Sequence, residues 1–264
     1  MLLENKNAVI FGGGGAIGGA VARRFAQEGA HVFLAGRRLS SLAVVERDIR
    51  AGGGAAHTAE VDALNAEDVN AYMDDVAASS GSIDVLMNAV GVDHAQGPPL
   101  DELTLGDFMH PITTYLQTNF LTAQAAARHM RAKGSGVILT LTTPGSKMAG
   151  VGFLGYGTTC GAVETFSRIL SGEVGGDGVR VVCLRPTAIP MSLDQSHLRD
   201  VFSKVAVANR LTLDEWLAGM AQASTLRRLP TLDEVADAAA FIASDKGSAM
   251  TGAITNLSCG QVVD

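Results

Sequence analysis

The chain has 264 residues, 47% of them hydrophobic and 18% charged, with no Pro/Ser-rich linker, charge block or composition shift to divide it. That length buries a sizeable core, and residues 1–264 read as one domain. The basic side chains number 20 and the acidic ones 27, a formal net charge of −7, which argues against the broad basic surface that nucleic acids or anionic membranes require.

The opening segment, MLLENKNAVIF, is interrupted by Glu4 and Lys6 and lacks the basic start and long apolar run of a signal peptide. The other apolar stretches are too short or too glycine-rich to span a bilayer, so a cytoplasmic protein without a membrane partner is expected. Cys160, Cys183 and Cys259 are far apart and lack metal-ligand spacing. Reduced thiols and no bound metal are therefore expected.

Short apolar runs recur along the chain as NAVIFGG, HVFLAG, DVLMNAVG, GVILTLT, RVVCLRP and AITNLSCG. Each suits a strand buried on both faces, and a third strand is placed just before Asp62. Helical patterns lie between them. In IGGAVARRFAQEGA, Ile17, Val21 and Phe25 recur every four residues while Arg23, Arg24, Gln27 and Glu28 take the other side. This alternation predicts an α/β protein with right-handed crossovers, a Rossmann-like doubly wound parallel sheet flanked by helices on both faces. Ligands of such sheets bind beyond the carboxyl ends of the strands.

NAVIFGGGGAIGGAVARRF reads as strand, glycine loop, helix. Gly12 to Gly15 permit backbone approaches that a Cβ would forbid, and the following helix begins with unpaired N–H groups that suit a pyrophosphate. Gly12, Gly14, Gly15, Ile17 and Gly18 are the candidate phosphate-binding residues. The second strand ends in LAGRR, with Gly36 where a preference for NAD would place an acid. Arg37 and Arg38 follow, and guanidinium groups suit a 2′-phosphate, so NADP(H) is expected over NAD(H). Asp62, next to Ala63 in VDALN, is placed to accept from an adenine amine or to cap a helix.

Pro111, in DFMHPITTYLQTNF, is expected to break or kink the helix that leads to Asn119. In YGTTCGAVE, Tyr156 and Cys160 are one helical turn apart and share a face. From Pro190 to Arg228 the strand–helix rhythm is interrupted by two helical stretches, SHLRDVFSKVAV and LDEWLAGMAQA. They form a candidate lid over a substrate.

Together with NAVG at residues 88–91, QTNF around Asn119, Tyr156 and RPTAIPMS from Arg185, these features resemble the short-chain dehydrogenase/reductase family in its single-domain form. The resemblance covers essentially the whole chain. It implies that Gly12 and Gly18 are the outer glycines of the cofactor loop, with Ala16 where the middle one usually stands. It further implies cofactor roles for Asn88, Gly91, Pro186 and Ile189, a tyrosine acid/base at Tyr156 and a proton-relay asparagine at Asn119. Thr143, thirteen residues before Tyr156, takes the place of the hydroxyl partner. Cys160 stands where the family keeps a lysine that binds the nicotinamide ribose and lowers the tyrosine pKa. Thr187 replaces a usual glycine, and Pro190 and Met191 are further departures. By the same analogy the helix from Tyr156 to Gly172 is a subunit interface, giving a homodimer or homotetramer.

A tyrosine without a nearby cation has a pKa of about 10 and stays protonated at neutral pH. Such a phenol still serves as the acid in a reduction but not as the base in an oxidation. Lys147 is the candidate replacement cation, and His94 and His110 are candidate proton carriers. The expected function is NADP(H)-dependent reduction of a carbonyl, imine or activated double bond. Met148, Phe153, Leu154 and Met191 suggest a small, rather apolar substrate. The alternatives are a redox-free lyase or isomerase using Thr143 and Tyr156, and a catalytically weak nucleotide-binding homologue.

Overall fold

The computed structural model describes residues 1–195 and 198–263. Its centre is a seven-stranded sheet in the order β3-β2-β1-β4-β5-β6-β7, with every neighbouring pair parallel. The strands are β1 (Asn7–Phe11), β2 (His31–Gly36), β3 (Ala55–Glu60), β4 (Val85–Asn88), β5 (Gly136–Leu141), β6 (Val179–Pro186) and β7 (Ile254–Leu257). Helices α1 (Ala16–Gln27), α2 (Leu39–Ala51), α3 (Ala66–Ser80), α4 (Leu105–Lys133), α5 (Leu154–Gly175) and α8 (Leu232–Ala243) cover its faces. This is the expected Rossmann-like architecture. The chain order reverses beside β1, which opens a crevice at the carboxyl ends of β1 and β4.

Side-chain alternation along the strands builds two cores. Ala8 and Ile10 of β1 face Val21, Phe25, Val45 and Ala239 from α1, α2 and α8. Val9 and Phe11 face Val69, Met73, Ala126 and Met130 from α3 and α4. Phe25 is fully buried, and burying such a side chain contributes about 1.5–3 kcal/mol.

The helix ends follow local chemistry. Asn65 caps α3 by accepting from the Glu67 and Asp68 N–H groups, and Gly81, at φ 82°, ends it. Thr231 and Glu234 form a reciprocal capping box on α8. Asp62 does not cap a helix; its Oδ1 accepts from the Leu64 N–H at 3.0 Å in a turn that ends before α3.

Pro111 does not break α4, which runs unbroken from Leu105 to Lys133. The proline sits in the second turn, where only the bond to the Asp107 carbonyl is forfeited. Packing holds that turn: a Cβ on Gly155 of α5 would lie 3.2 Å from the Phe108 carbonyl oxygen, so the two helix backbones meet closely there.

The interruption after β6 consists of a 3₁₀ turn (Pro190–Gln195), α6 (Leu198–Ala208) and α7 (Leu213–Ala223). Residues 196 and 197, which begin the first expected helical stretch, lie outside the described residues. Val201 and Phe202 of α6 pack with Trp216, Leu217 and Met220 of α7 in a small separate cluster. No helix of the described residues is long and apolar enough to cross a membrane.

Candidate active site

The glycine loop joins β1 to α1. Gly12 has φ 75°, and a Cβ on it would lie 2.4 Å from the Ala89 carbonyl oxygen. One on Gly18 would lie 2.4 Å from the Gly12 oxygen, and one on Gly14 would lie 2.5 Å from Ser41 Oγ. These contacts leave no room for side chains. The N-cap of α1 is Gly15, which has no side chain to accept from the first turn, and that turn holds no acidic residue. A helix start of this kind is a seat for an anion.

Above the loop lies a cleft of about 1410 Å³. Gly12, Gly14, Gly15 and Ile17 form one part of its wall, followed by Arg37 and Arg38, then Asp62 and Ala63. Gly91, Pro186, Ile189, Thr143 and Tyr156 line the remainder, with His110 and Gln96. Gly18 and Asn88 stand behind the wall. Gly18 lets α1 approach the loop, while Asn88 accepts from the Val90 N–H at 3.0 Å and donates to Thr122 Oγ1 at 3.2 Å, tying the end of β4 to α4.

Tyr156 lies in the first turn of α5, and the 3₁₀ turn Pro144–Lys147 brings Thr143 beside it. Cys160 is one turn further along α5 and only 3% exposed. Its Sγ is 3.3 Å from Thr143 Oγ1, and its carbonyl accepts from Thr142 Oγ1 at 3.2 Å. Burial pushes the Cys160 thiol up. The Tyr156 phenol is held well above the ordinary tyrosine value, first by burial and then by Cys160 and Tyr115, while the Thr143 hydrogen bond works the other way. Both groups are therefore protonated at neutral pH. Cys160 is a neutral filler behind the wall, with neither the charge to aid Tyr156 nor the low pKa of a nucleophile.

Asn119 is also buried behind the wall. Its Nδ2 donates to the Tyr115 carbonyl at 2.8 Å, and its Oδ1 is buried without a hydrogen-bond partner among the described residues. Lys147 is exposed at the end of the 3₁₀ turn. Thr187, on the cleft wall, donates to Gln261 Oε1, which brings the C-terminal segment to the cleft.

Several residues that line the cleft carry no motif or only a faint one in the sequence. Ser41 touches the glycine loop, and its signal is a hydroxyl in the first turn of the helix after the arginine pair. Tyr115 stands one turn before Asn119, a spacing that marks a shared face, and its phenol is pushed up to about 12 by burial. Gln96 and Gln261 carry no motif; the fold alone brings them in. The outer wall is apolar: Met148, Phe153, Phe202, Trp216 and Met220 line it, and the Phe202 and Trp216 rings are 4.8 Å apart.

Residues 14–261 match the family described as enoyl-(acyl carrier protein) reductase. An uncharacterized oxidoreductase of Mycobacterium tuberculosis is 32% identical over 251 residues, covering 95% of this chain and 89% of that protein. The crystal structure of a gluconate 5-dehydrogenase from Burkholderia cenocepacia in complex with NADP and tartrate is 27% identical, with TM-score 0.85 over 98% of this chain and 96% of that one. A short-chain type dehydrogenase/reductase from Mycobacterium marinum is 25% identical, with TM-score 0.83 over 99% and 97% of the two chains.

Proposed function

The chain belongs to the short-chain dehydrogenase/reductase family of oxidoreductases, and we propose that it uses NADP(H) in preference to NAD(H) to reduce a carbonyl, imine or activated double bond of a small apolar molecule. The observation that carries the cofactor reading is the placement of Gly36, Arg37 and Arg38 on the cleft wall beside an uncapped helix start. The residues fit a dinucleotide: a glycine cradle that any Cβ would obstruct, then a cationic wall. Gly12, Gly14, Gly15 and Ile17 would hold the pyrophosphate. Arg37, Arg38 and Ser41 would take the 2′-phosphate, with Asp62 and Ala63 at the adenine. Gly91, Pro186 and Ile189 would border the nicotinamide half, with Gly18 and Asn88 supporting them from behind.

When bound, the cofactor supplies the hydride. The protein's part is to orient the substrate and provide a proton. Thr143 would hold the substrate oxygen by its hydroxyl, and Tyr156, protonated at neutral pH, would give its proton to that oxygen. Asn119 Oδ1, a buried acceptor without a donor among the described residues, would hold a water that returns a proton towards Tyr156. Because the phenol resists ionisation, reduction would outrun oxidation. The apolar outer wall favours a substrate less polar than a sugar acid. Phe120 and Ile169, exposed on α4 and α5, support a homodimer or homotetramer through that face.

The test is a calorimetric titration with NADPH and NADH, followed by trial reductions of apolar carbonyl compounds. NADPH binding well ahead of NADH supports the reading. Equal binding, or none, removes the roles given to Arg37 and Arg38.

A further inference from the structure

His94 stands in the loop after β4, and its imidazole lies face to face on the Tyr156 ring, with centroids 4.1 Å apart and an interplanar angle of 10°. It is 6% exposed. Its Nδ1 donates to the Val92 carbonyl at 2.8 Å, and the Gln96 amide nitrogen donates to Nε2 at 2.8 Å. With one ring nitrogen donating and the other accepting, this is the neutral imidazole. Gln96 is buried as well, and its amide carries an oxygen at the other end. A half-turn of that amide presents an acceptor to Nε2, so the ring can take a second proton and keep both hydrogen bonds. A histidine with partners suited to both charge states is equipped to titrate inside the protein.

We propose that His94 is a positioning residue for Tyr156: stacking fixes the phenol ring, and the protonated imidazole sets a cation against the face on which phenolate charge develops. This deepens the oxidoreductase reading and rests on it. The proton passes from Tyr156 Oη to the substrate oxygen, and the tyrosine regains one by way of the water assigned to Asn119 Oδ1. His94 keeps its own protons throughout and acts by stacking and by charge. Among the described residues, the other titratable groups around the pair include Asp93 in the same loop, His110 and Tyr115 from α4, Cys160 further along α5, and Lys147 at the end of the 3₁₀ turn. Tyr115 and Cys160 are both raised by burial and stay neutral near pH 7. Asp93 is an exposed acid beside His94, suited to a charged imidazole.

The chain has only three tyrosines, Tyr72, Tyr115 and Tyr156. Full-length protein labelled with ¹³C at tyrosine Cζ and histidine Cε1 can therefore be titrated by NMR between about pH 5 and 9, across the range in which histidine changes charge. Tyr156→Phe assigns the tyrosine signal, His94→Phe assigns the His94 signal among those of the chain's six histidines, and His110→Gln removes the imidazole that lines the cleft. The expected result is a His94 titration step mirrored by the Tyr156 resonance at the same midpoint. A His94 that stays neutral to the acid end, or a Tyr156 signal indifferent to its charge, overturns the proposal. No cofactor or substrate is needed, so a failure of NADPH binding is a separate outcome. The second readout is the pH profile of kcat for reduction of an aromatic α-diketone by NADPH. A rise of about tenfold as pH falls through the His94 midpoint, tenfold being one pKa unit of differential interaction, is expected in the wild type. It should vanish in His94→Phe, which retains the stack but cannot be charged. A profile unchanged in His94→Phe also overturns the proposal.

Discussion

Gly36 offers a direct test of cofactor choice. It ends β2 on the cleft wall, paired with Glu60 of β3. A Cβ there would meet nothing closer than the Leu42 side chain at 3.6 Å, and its φ is not among the positive ones. Gly36→Asp should therefore leave the fold intact; replacing glycine inside a strand is neutral or gains up to about 1 kcal/mol. The two cofactors should respond oppositely. Two like charges about 4 Å apart repel by about 1 kcal/mol in water and about 4 kcal/mol at an effective dielectric of 20. Arg37 and Arg38 are exposed, which keeps the environment wet, so a loss of about 1–3 kcal/mol, or about 5- to 150-fold in NADPH affinity, is expected. A carboxylate accepting from the ribose hydroxyls of NADH makes charge-assisted bonds worth about 1.5–3 kcal/mol. The ratio of the two dissociation constants should therefore move by about two to four orders of magnitude. Calorimetry at fixed ionic strength measures both, with thermal unfolding as the control for folding. A folded Gly36→Asp protein whose ratio stays within about threefold would refute the assignment of this strand end to the 2′-phosphate.

Further outcomes follow from the same geometry. Cys160→Lys puts an ammonium in a site where Sγ already touches Thr143 and lies close to Gly145; denaturant unfolding should show a loss of about 1–3 kcal/mol from overpacking, while alcohol oxidation gains below pH 9 because an opposite charge nearby lowers a phenol's pKa by about 1–3 units. Gly12→Ala forces a Cβ into the Ala89 carbonyl at an unfavourable positive φ, and should cost about 2–4 kcal/mol of stability and abolish measurable dinucleotide binding by calorimetry. Burial alone would raise the Asp84 carboxyl, but the Asn7 N–H, Lys133 and Ser82 outweigh it and hold it below its ordinary value. Its stabilising contribution is thus complete above the unfolded carboxylate value of about 3.9 and lost as pH falls through the lower folded value, a pH-dependent step that urea unfolding should no longer show in Asp84→Asn. Trp216, the chain's single tryptophan, lines the cleft, so its fluorescence should change when an apolar substrate is added and stay constant with a sugar acid.

Sequence legibility differs between elements for physical reasons. Strands β1, β2, β4, β5 and β6 lie inside the sheet with almost every residue buried, so unbroken apolar runs betray them. β3 is an edge strand, AAHTAE, with little of it buried, and its sequence has no apolar run to mark it, so only its position before Asp62 is implied. The glycine loop was legible because close backbone contact excludes side chains. Pro111 misled because intrinsic helix preference is a local quantity, whereas the turn that contains it is held by α5. The stacking of His94 on Tyr156 joins residues 62 positions apart, and nothing in either local pattern announces it.

Tyr156, Cys160 and Glu164 follow one face of α5 at intervals of four residues, so the helix does carry an ionisable group behind its cysteine. Glu164 is buried with Arg185 of β6, their side chains 6% and 1% exposed and Arg185 Nη1 3.5 Å from Glu164 Oε1. Ser146 Oγ also donates to that oxygen at 2.5 Å. The guanidinium is taken up by the acid, and at Cys160 the influence of Glu164 is a negative charge that adds to burial in raising the thiol. A negative field from beneath the helix cannot lower the phenol's pKa. The same pair instead anchors α5 to the segment that carries Thr143, through Ser146, and so fixes the two hydroxyls relative to each other. A helix face that supplies position but no positive charge leaves the groups packed on Tyr156 from outside α5 as the source of a cation, and His94 is the ring stacked on it.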